Sequence, residues 1–563
     1  MRWTIKPKPD PSKVARLSKE LAVDSTTSFL LAQRGIETFE EAKNFFRPDL
    51  SDLHDPFLMK DMEKAVSRIE EAVENQENIL VYGDYDVDGT TSVALMSSYL
   101  LSFYPNVATY IPDRYEEGYG ISYKGIDFAE DNNFSLIIAL DCGIKAIDKV
   151  AYAFKKEVDF IICDHHRPGA EIPKAKAVLD PKQEDCDYPF KELCGCGVGF
   201  KLIQALASKK GATIDDLVLY LDLVATAIGA DIVPIVGENR ILAYHGLKVI
   251  NENPRPGFEA ILKQVKKEKL TITDVVFIIA PRINAAGRMK HGNHAVTLLC
   301  ETDNNLAAEY AIDIDTYNTD RRDADKRITI EALVQIEENK EQDRFTSVVF
   351  DENWHKGVIG IVASRLTETY YRPTLVFTKS GEMLAASARS VKGFDVYNAL
   401  EKCSEYIEQF GGHKYAAGLT LKPENYKSFK AQFEKVVEET IDPKMLIPEI
   451  SIDSQISLSD ITPKFYRILS QFAPFGPGNM TPVFMSEDIQ DTGYGKQVGE
   501  DKSHLRFTAT QHGSGKIVGI GFGLGEHVEL IKNKKPFKAA YTIDENEWNG
   551  NVSLQLKLKD IKP

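Results

Sequence analysis

Through the first 75 residues, apolar side chains recur at helical spacing with one break at Arg47-Pro48-Asp49, which predicts an amphipathic helical extension. From about residue 78 the pattern changes to short, continuous apolar runs: Ile79-Leu80-Val81-Tyr82, Val107-Ala108-Thr109-Tyr110-Ile111, Leu136-Ile137-Ile138-Ala139-Leu140 and Phe160-Ile161-Ile162-Cys163. Runs without polar alternation, separated by helical stretches, predict parallel strands covered on both faces. Three of the four lead straight into acidic loops, Asp84-Tyr85-Asp86, Asp141-Cys142-Gly143 and Asp164-His165-His166. Ligands in open α/β sheets bind beyond the carboxyl ends of strands, so these loops should converge. A charged helical stretch from Ala307 to Lys340 then predicts a linker helix, and a second α/β pattern runs from Ser347 to Leu421. After Pro448, short alternating strands with Gly and Asn turns predict a small β-barrel, plausibly of OB type.

A chain of 563 residues is too long for one core, so three or four domains are expected. The net charge of −16 argues against a protein that coats nucleic acid non-specifically, but leaves room for a nuclease with one basic groove. No apolar run reaches the roughly 18 residues a membrane helix needs, and Met1-Arg2-Trp3-Thr4-Ile5 lacks a signal-peptide core. Seven cysteines without paired zinc spacing fit a reducing, cytoplasmic setting, and Cys194-Gly195-Cys196 reads as two small residues in a turn.

Asp84, Asp86 and Asp88 stand at alternate positions just past a buried strand, the kind of oxygen-rich loop that hard divalent cations prefer. Asp141 and Asp164-His165-His166 follow two more strands, and the imidazoles move the preference from Mg²⁺ toward Mn²⁺. Asp231, in Ala230-Asp231-Ile232-Val233-Pro234, ends the apolar helix Leu221 to Ala230 and adds a carboxylate. One Asp after a strand is usually a helix cap or turn residue. Three such strand ends on one sheet edge would repel one another unless a cation compensates, and this many ligands suits two ions acting on a phosphoryl group. There is no Ser or Cys nucleophile motif.

Asp84-Tyr85-Asp86-Val87-Asp88-Gly89, Asp141-Cys142-Gly143, Asp164-His165-His166 and Ala230-Asp231-Ile232-Val233-Pro234 resemble the four motifs of the DHH phosphoesterases. Pro281-Arg282-Ile283-Asn284-Ala285-Ala286-Gly287-Arg288-Met289, the Trp354 to Arg365 stretch and Ser387-Ala388-Arg389-Ser390 are similar to signatures of the RecJ branch, and Gly411-Gly412-His413 to the DHH-associated domain. The resemblance runs from about residue 50 to 425. With the patterning outside it, where the barrel is matched by position and texture only, the resemblance implies an α/β fold: a helical extension (1–60), a parallel-sheet DHH domain (61–270), a connecting segment with a long linker helix (271–345), a second α/β DHH-associated domain (346–445) and an OB-type β-barrel (446–563). It also implies metal binding by Asp84, Asp86, Asp141, His165 and Asp231, with His166 beside the scissile phosphate and Asp164 in the catalytic group. Asp88 either ligates or orders its loop. Smaller relatives carry a histidine where this chain has Leu80, a difference that agrees with the RecJ branch.

The implied activity is Mn²⁺- or Mg²⁺-dependent 5′-3′ hydrolysis of single-stranded DNA to mononucleotides in repair and recombination. Single-strand-binding protein and a RecQ-like helicase are the implied partners, and a monomer the implied state. Forked donors Arg282, Arg288 (read as lying in a Gly-containing loop) and Arg389, with Asn284, His355, Ser387, Gly412 and His413, are the expected phosphate contacts. Tyr115 and Tyr119 are candidates for base stacking, and Lys502, His504 and Arg506 for contacts from the barrel. Two alternatives stay open: a DHH hydrolase of short oligonucleotides or cyclic dinucleotides, and a non-catalytic replication or repair scaffold.

Overall fold

The structure, a computed structural model, describes residues 1–563 except 266, 268, 513, 514, 534 and 549. The four predicted apolar runs form a parallel sheet with one further short strand, Ala177–Leu179, in the order Val107–Tyr110, Asn78–Gly83, Phe134–Leu140, Asp159–Cys163, Ala177–Leu179. The chain starts in the second strand, adds one neighbour, then reverses, so the sheet has a switch point beside Asn78–Gly83, where ligand sites form. Helix Val87–Leu101 covers one face and is buried on nearly every side, which its small Gly, Thr, Ser and Ala residues permit. Gly89 is required at its first turn, because a Cβ there would sit 2.3 Å from the carbonyl oxygen of Asp84. The glycine therefore lets the helix start seat on the acidic loop.

Helix Asn304–Glu338 leaves this domain and, at 1.5 Å per residue, spans about 50 Å before the second sheet. That sheet has the order Gln409–His413, Ala416–Leu421, Met383–Arg389, Thr374–Ser380, Ser347–Phe350, antiparallel except at its last pair. The C-terminal strands close into a barrel, because Phe484–Asp491 pairs with both Phe537–Trp548 and His504–Thr510. None of the helices among the described residues is long and apolar enough to cross a membrane.

Several local expectations change. The extension is not purely helical, since Arg2–Ile5 is a strand paired in parallel with Glu449–Ile452. Its helices bury Leu17, Leu30, Leu31 and Ala42 in the same core as Phe472, Phe484 and Phe507 of the barrel, so the two chain ends fold together. Cys194 is not in a turn. It caps helix Gly195–Lys209, and Cys196 lies in the first turn. Arg282 and Arg288 lie on helix Ala280–Met289 rather than in a loop, because Ala285, Ala286 and Gly287 are buried small residues that let the helix pack closely.

Candidate metal centre and strand-binding cleft

Each acidic loop emerges from a different element, and the fold folds them onto one point. Nε2 of His165 lies 3.2 Å from Oδ1 of Asp141, 3.6 Å from Oδ2 of Asp231 and 3.8 Å from Oδ2 of Asp88. Two sets, Asp141, His165 and His166, and Asp88, His165 and Asp231, each present ligand atoms within 4.8 Å of one another. Oδ1 of Asp141, Nε2 of His165 and Oδ2 of Asp84 are buried without a hydrogen-bond partner. Buried polar atoms are almost always satisfied, so the orphaned Asp141 Oδ1 and His165 Nε2, 3.2 Å apart, mark a place for a cation. The donor set, carboxylate oxygen with imidazole nitrogen, suits Mn²⁺ and Mg²⁺.

Electrostatics point the same way. Burial pushes Asp84, Asp88 and Asp141 well above the ordinary carboxylate range, and neighbouring carboxylates push further, Asp86 on Asp84, Asp231 on Asp88 and Asp88 on Asp141. Burial and Asp86 raise Asp231 to about 7. Burial and the charge of His166 hold His165 down at about 3, so it is neutral and able to ligate. A cation would relieve this repulsion. Asp86 is half-buried and caps helix Val87–Leu101 by accepting from the amide of Gly89, while its charge raises Asp84, Asp88, Asp141 and Asp231. Both oxygens of Asp88 accept amides at the start of helix Gly195–Lys209, from Gly195 and Cys196 at 2.7 Å. Asp88 thus orders its loop and also stands within the ligand cluster.

Asp164 plays a different part. Its Oδ1 accepts from the amides of His165 and His166 and from Nδ1 of His166 at 2.8 Å, and Oδ2 accepts from Ile144. Burial alone would raise it, but the hydrogen bond and charge of His166 prevail and lower it to about 2. For His166, burial lowers and Asp164 raises, leaving it at about 9 and cationic beside the cluster. The pair is a carboxylate holding an imidazolium.

Across the cleft, guanidinium groups gather. Burial and the nearby charges of Arg114, Arg389 and Arg321 lower Arg288 to about 9. Arg288 donates to the carbonyl of Gly357 and Arg114 to that of Gly287, while the Arg114 guanidinium stacks 4.0 Å from the Tyr85 ring. A Cβ on Gly360, in the first turn of helix Ile359–Tyr370, would lie 3.1 Å from Nη2 of Arg389 and 3.3 Å from Oγ of Ser387. Strand register sets His413, Ala416 and Arg389 side by side, with Gly412 at φ 142 in the hairpin and His413 exposed. Arg282 points elsewhere in part, bound to Asp315 at 2.8 Å. Asn284 is half-buried on the Arg288 helix, and His355 accepts the Gly357 amide through Nδ1. Tyr115 is 40% exposed and donates to the carbonyl of Arg288; Tyr119 is 51% exposed and edge-on to Tyr85 and His166. In the barrel, His504 packs edge-on against exposed Phe522, on the strand that carries exposed Arg506; Lys502 is exposed just before it.

Sequence reasoning passed over Arg114, Arg321 and Asp180. Arg114 follows the Val107–Tyr110 strand at the same sheet edge as the acidic loops, a signal that was available. Arg321 lies within a long helix dense in interleaved acidic and basic residues and gave none. Asp180 follows the three-residue strand Ala177–Leu179, too short to stand out, and burial raises it to about 7.

The DHH family, N-terminal domain, matches residues 78–228; the DHHA1 domain matches 342–439; and the RecJ OB domain matches 452–560. The single-stranded-DNA-specific exonuclease RecJ of Bacillus subtilis is 36% identical over 566 residues, covering 100% of this chain and 70% of that protein. Its counterpart in Escherichia coli is 32% identical over 95% of each chain. The crystal structure of RecJ in complex with Mn²⁺ from Thermus thermophilus superposes with a TM-score of 0.86 at 26% identity, covering 100% of this chain and 79% of that one. The complex of that protein with Mg²⁺ gives 0.78 at 25% identity, with 100% and 78% covered.

Proposed function

This chain belongs to the RecJ family of DHH phosphoesterases, and from that premise we propose how its cleft works. The protein is a metal-dependent exonuclease of single-stranded DNA. Our reading is that it removes mononucleotides from the 5′ end. The observation that carries it is the facing pair Asp141 Oδ1 and His165 Nε2, 3.2 Å apart, buried and unpartnered, opposite a cluster of arginines.

In this reading Asp84, Asp86, Asp88, Asp141, His165 and Asp231 hold the ions, with two bound at once. When bound, Mn²⁺ or Mg²⁺ would supply an activated water and neutralise charge on the phosphoryl group. His166, kept protonated by Asp164, donates to the scissile phosphate and stabilises charge that grows in the transition state. Arg389, Ser387 and the amides near Gly360 grip the terminal 5′-phosphate, with Arg288, Arg114, Gly412 and His413 around it. Fixing that phosphate places the first phosphodiester over the carboxylates and gives the reaction its polarity. A cleft too narrow for a duplex would admit only a single strand, and the barrel extends the strand path through Lys502, His504 and Arg506.

Single-strand-binding protein and a RecQ-like helicase fit this role as partners, and we place the protein in the cytoplasm as a monomer. The intact acidic set disfavours a non-catalytic scaffold, and the OB domain disfavours a hydrolase of small substrates. The test is digestion of 5′-phosphorylated, 3′-labelled single-stranded DNA with Mn²⁺ or Mg²⁺, beside duplex and RNA. Shortening of the single strand from its 5′ end, lost in Asp141→Ala, is the expected result. Survival of long DNA while dinucleotides disappear would replace this reading with the small-substrate one.

A further inference from the structure

The last turn of helix Ala280–Met289 is held from both sides. The closing carbonyls of a helix have no partner within it, so they need donors from elsewhere. Two consecutive residues of the catalytic domain supply them here. Nε of Arg114 donates to the carbonyl of Gly287 at 3.1 Å, and the hydroxyl of Tyr115 donates to that of Arg288. The Arg114 charge also suits the negative end of the helix dipole. From the same turn Arg288 reaches the other way, and its Nη1 donates to the carbonyl of Gly357 in the second α/β domain at 2.9 Å.

The fit at this junction is close. A Cβ on Gly357 would lie 2.6 Å from the Tyr115 hydroxyl and 2.8 Å from the Arg288 carbonyl oxygen, and the Tyr115 ring stands edge-on to His355. On the catalytic side the junction meets the first acidic loop. A Cβ on Gly287 would lie 2.7 Å from the carbonyl oxygen of Tyr85, the residue between Asp84 and Asp86. On the other side Gly360, against Arg389 and Ser387, follows Gly357 by three residues. A continuous series of contacts therefore joins the carboxylates to the residues assigned to the 5′-phosphate.

We propose that this turn is a spacer: clasped by Tyr115 and Gly357, it fixes the distance from the carboxylates to the 5′-phosphate grip, so that one nucleotide is released per cut. Two sites on separate domains keep one register only if a rigid contact joins them, and a misplacement of about 1 Å can cost about a hundredfold in rate. Tyr115 is then a positioning residue that acts through Arg288, and its ring does not stack on a base. The inference rests on the exonuclease reading given above.

The test follows the first product released from a 5′-radiolabelled oligothymidylate, with kcat, KM and Mn²⁺ affinity measured beside it. Gly357→Ala wedges the junction open and is expected to lower kcat about ten- to a hundredfold. Tyr115→Phe removes one hydrogen bond and should lower kcat about two- to tenfold. In both variants dinucleotides should join the mononucleotide as first products, while KM and Mn²⁺ affinity stay within about twofold. Tyr115→Phe removes a single oxygen, so it carries the test if Gly357→Ala does not fold. Mononucleotides alone from Tyr115→Phe, whatever its rate, would overturn the spacer and leave the exonuclease intact. Tyr115→Ala that raises KM without changing the product would make Tyr115 a stacking residue and overturn the spacer equally. A native chain that leaves the oligonucleotide uncut overturns the exonuclease reading and this inference with it.

Discussion

Asp88 accepts the backbone N–H of Gly195 at 2.7 Å, and its second oxygen accepts that of Cys196 at the same distance. One buried carboxylate thus ties the first acidic loop to the start of a helix more than a hundred residues away, and the helix dipole favours its charge. Asp88→Ala would leave two buried amides unsatisfied, at about 1–3 kcal/mol each. Chemical denaturation of the metal-free protein should show a loss of about 2–6 kcal/mol from the two amides, reduced by whatever repulsion from Asp231 and Asp86 the substitution relieves.

Gly195 also faces Asp141. A Cβ there would lie 2.6 Å from Cβ of Asp141 and 2.8 Å from its Cα, so Gly195→Ala must displace the carboxylate or the helix start. A shift of a few tenths of an ångström is enough to spoil a ligand set. Mn²⁺ affinity by calorimetry is expected to fall at least about tenfold, as for lost supporting contacts at metal sites, with far-ultraviolet circular dichroism unchanged.

Asp141 itself destabilises the metal-free fold, because burial and the charges of Asp88, Asp86 and Asp231 all disfavour its ionised form. Asp141→Asn should therefore raise the melting temperature of the metal-free protein at neutral pH. The same variant should abolish exonuclease activity and remove the stabilisation that Mn²⁺ gives the native chain. A lower melting temperature without metal would contradict the repulsion argument.

The His166–Asp164 pair sets a pH dependence. His166 is raised to about 9 in the fold, above its ordinary 6.5, so its contribution is complete below 6.5 and is lost as pH rises through 9. Asp164 is lowered from 3.8 to about 2, so its contribution is present above 3.8 and is lost as pH falls through 2. If protonated His166 serves the scissile phosphate, kcat declines on the alkaline side toward pH 9. Asp164→Asn should bring that limb down toward 6.5, read from kcat against pH at saturating Mn²⁺.

Arg389 adjoins Ser387 and the helix start at Gly360. Arg389→Ala should erase the preference for a 5′-phosphate over a 5′-hydroxyl end, with KM raised about ten- to a hundredfold for the former only, the range of a charge-assisted hydrogen bond. Competing digestion of the two oligonucleotides in one reaction measures this directly.

Local pattern carried much of this protein. Continuous apolar runs announced buried parallel strands, and the residues just past them, Asp84, Asp141 and Asp164, necessarily lay at the sheet's carboxyl edge. The helix Leu221–Ala230 and the long helix Asn304–Glu338 were legible for the same reason, since periodicity is a property of neighbours along the chain.

What the tertiary structure alone decided depends on residues distant in sequence. Nothing near Arg2–Ile5 announces its partner Glu449–Ile452, and nothing in Arg321 marks the arginines it approaches. The division of labour among the acidic residues was equally hidden. Asp164 is consumed by four hydrogen bonds while Asp141 keeps an orphaned oxygen, although both follow strands in the same way. Sequence places a carboxylate at the end of a strand. Whether that carboxylate is satisfied by amides or left to meet a cation is settled by which backbone the fold brings against it, because hydrogen-bond satisfaction is a property of space rather than of order along the chain.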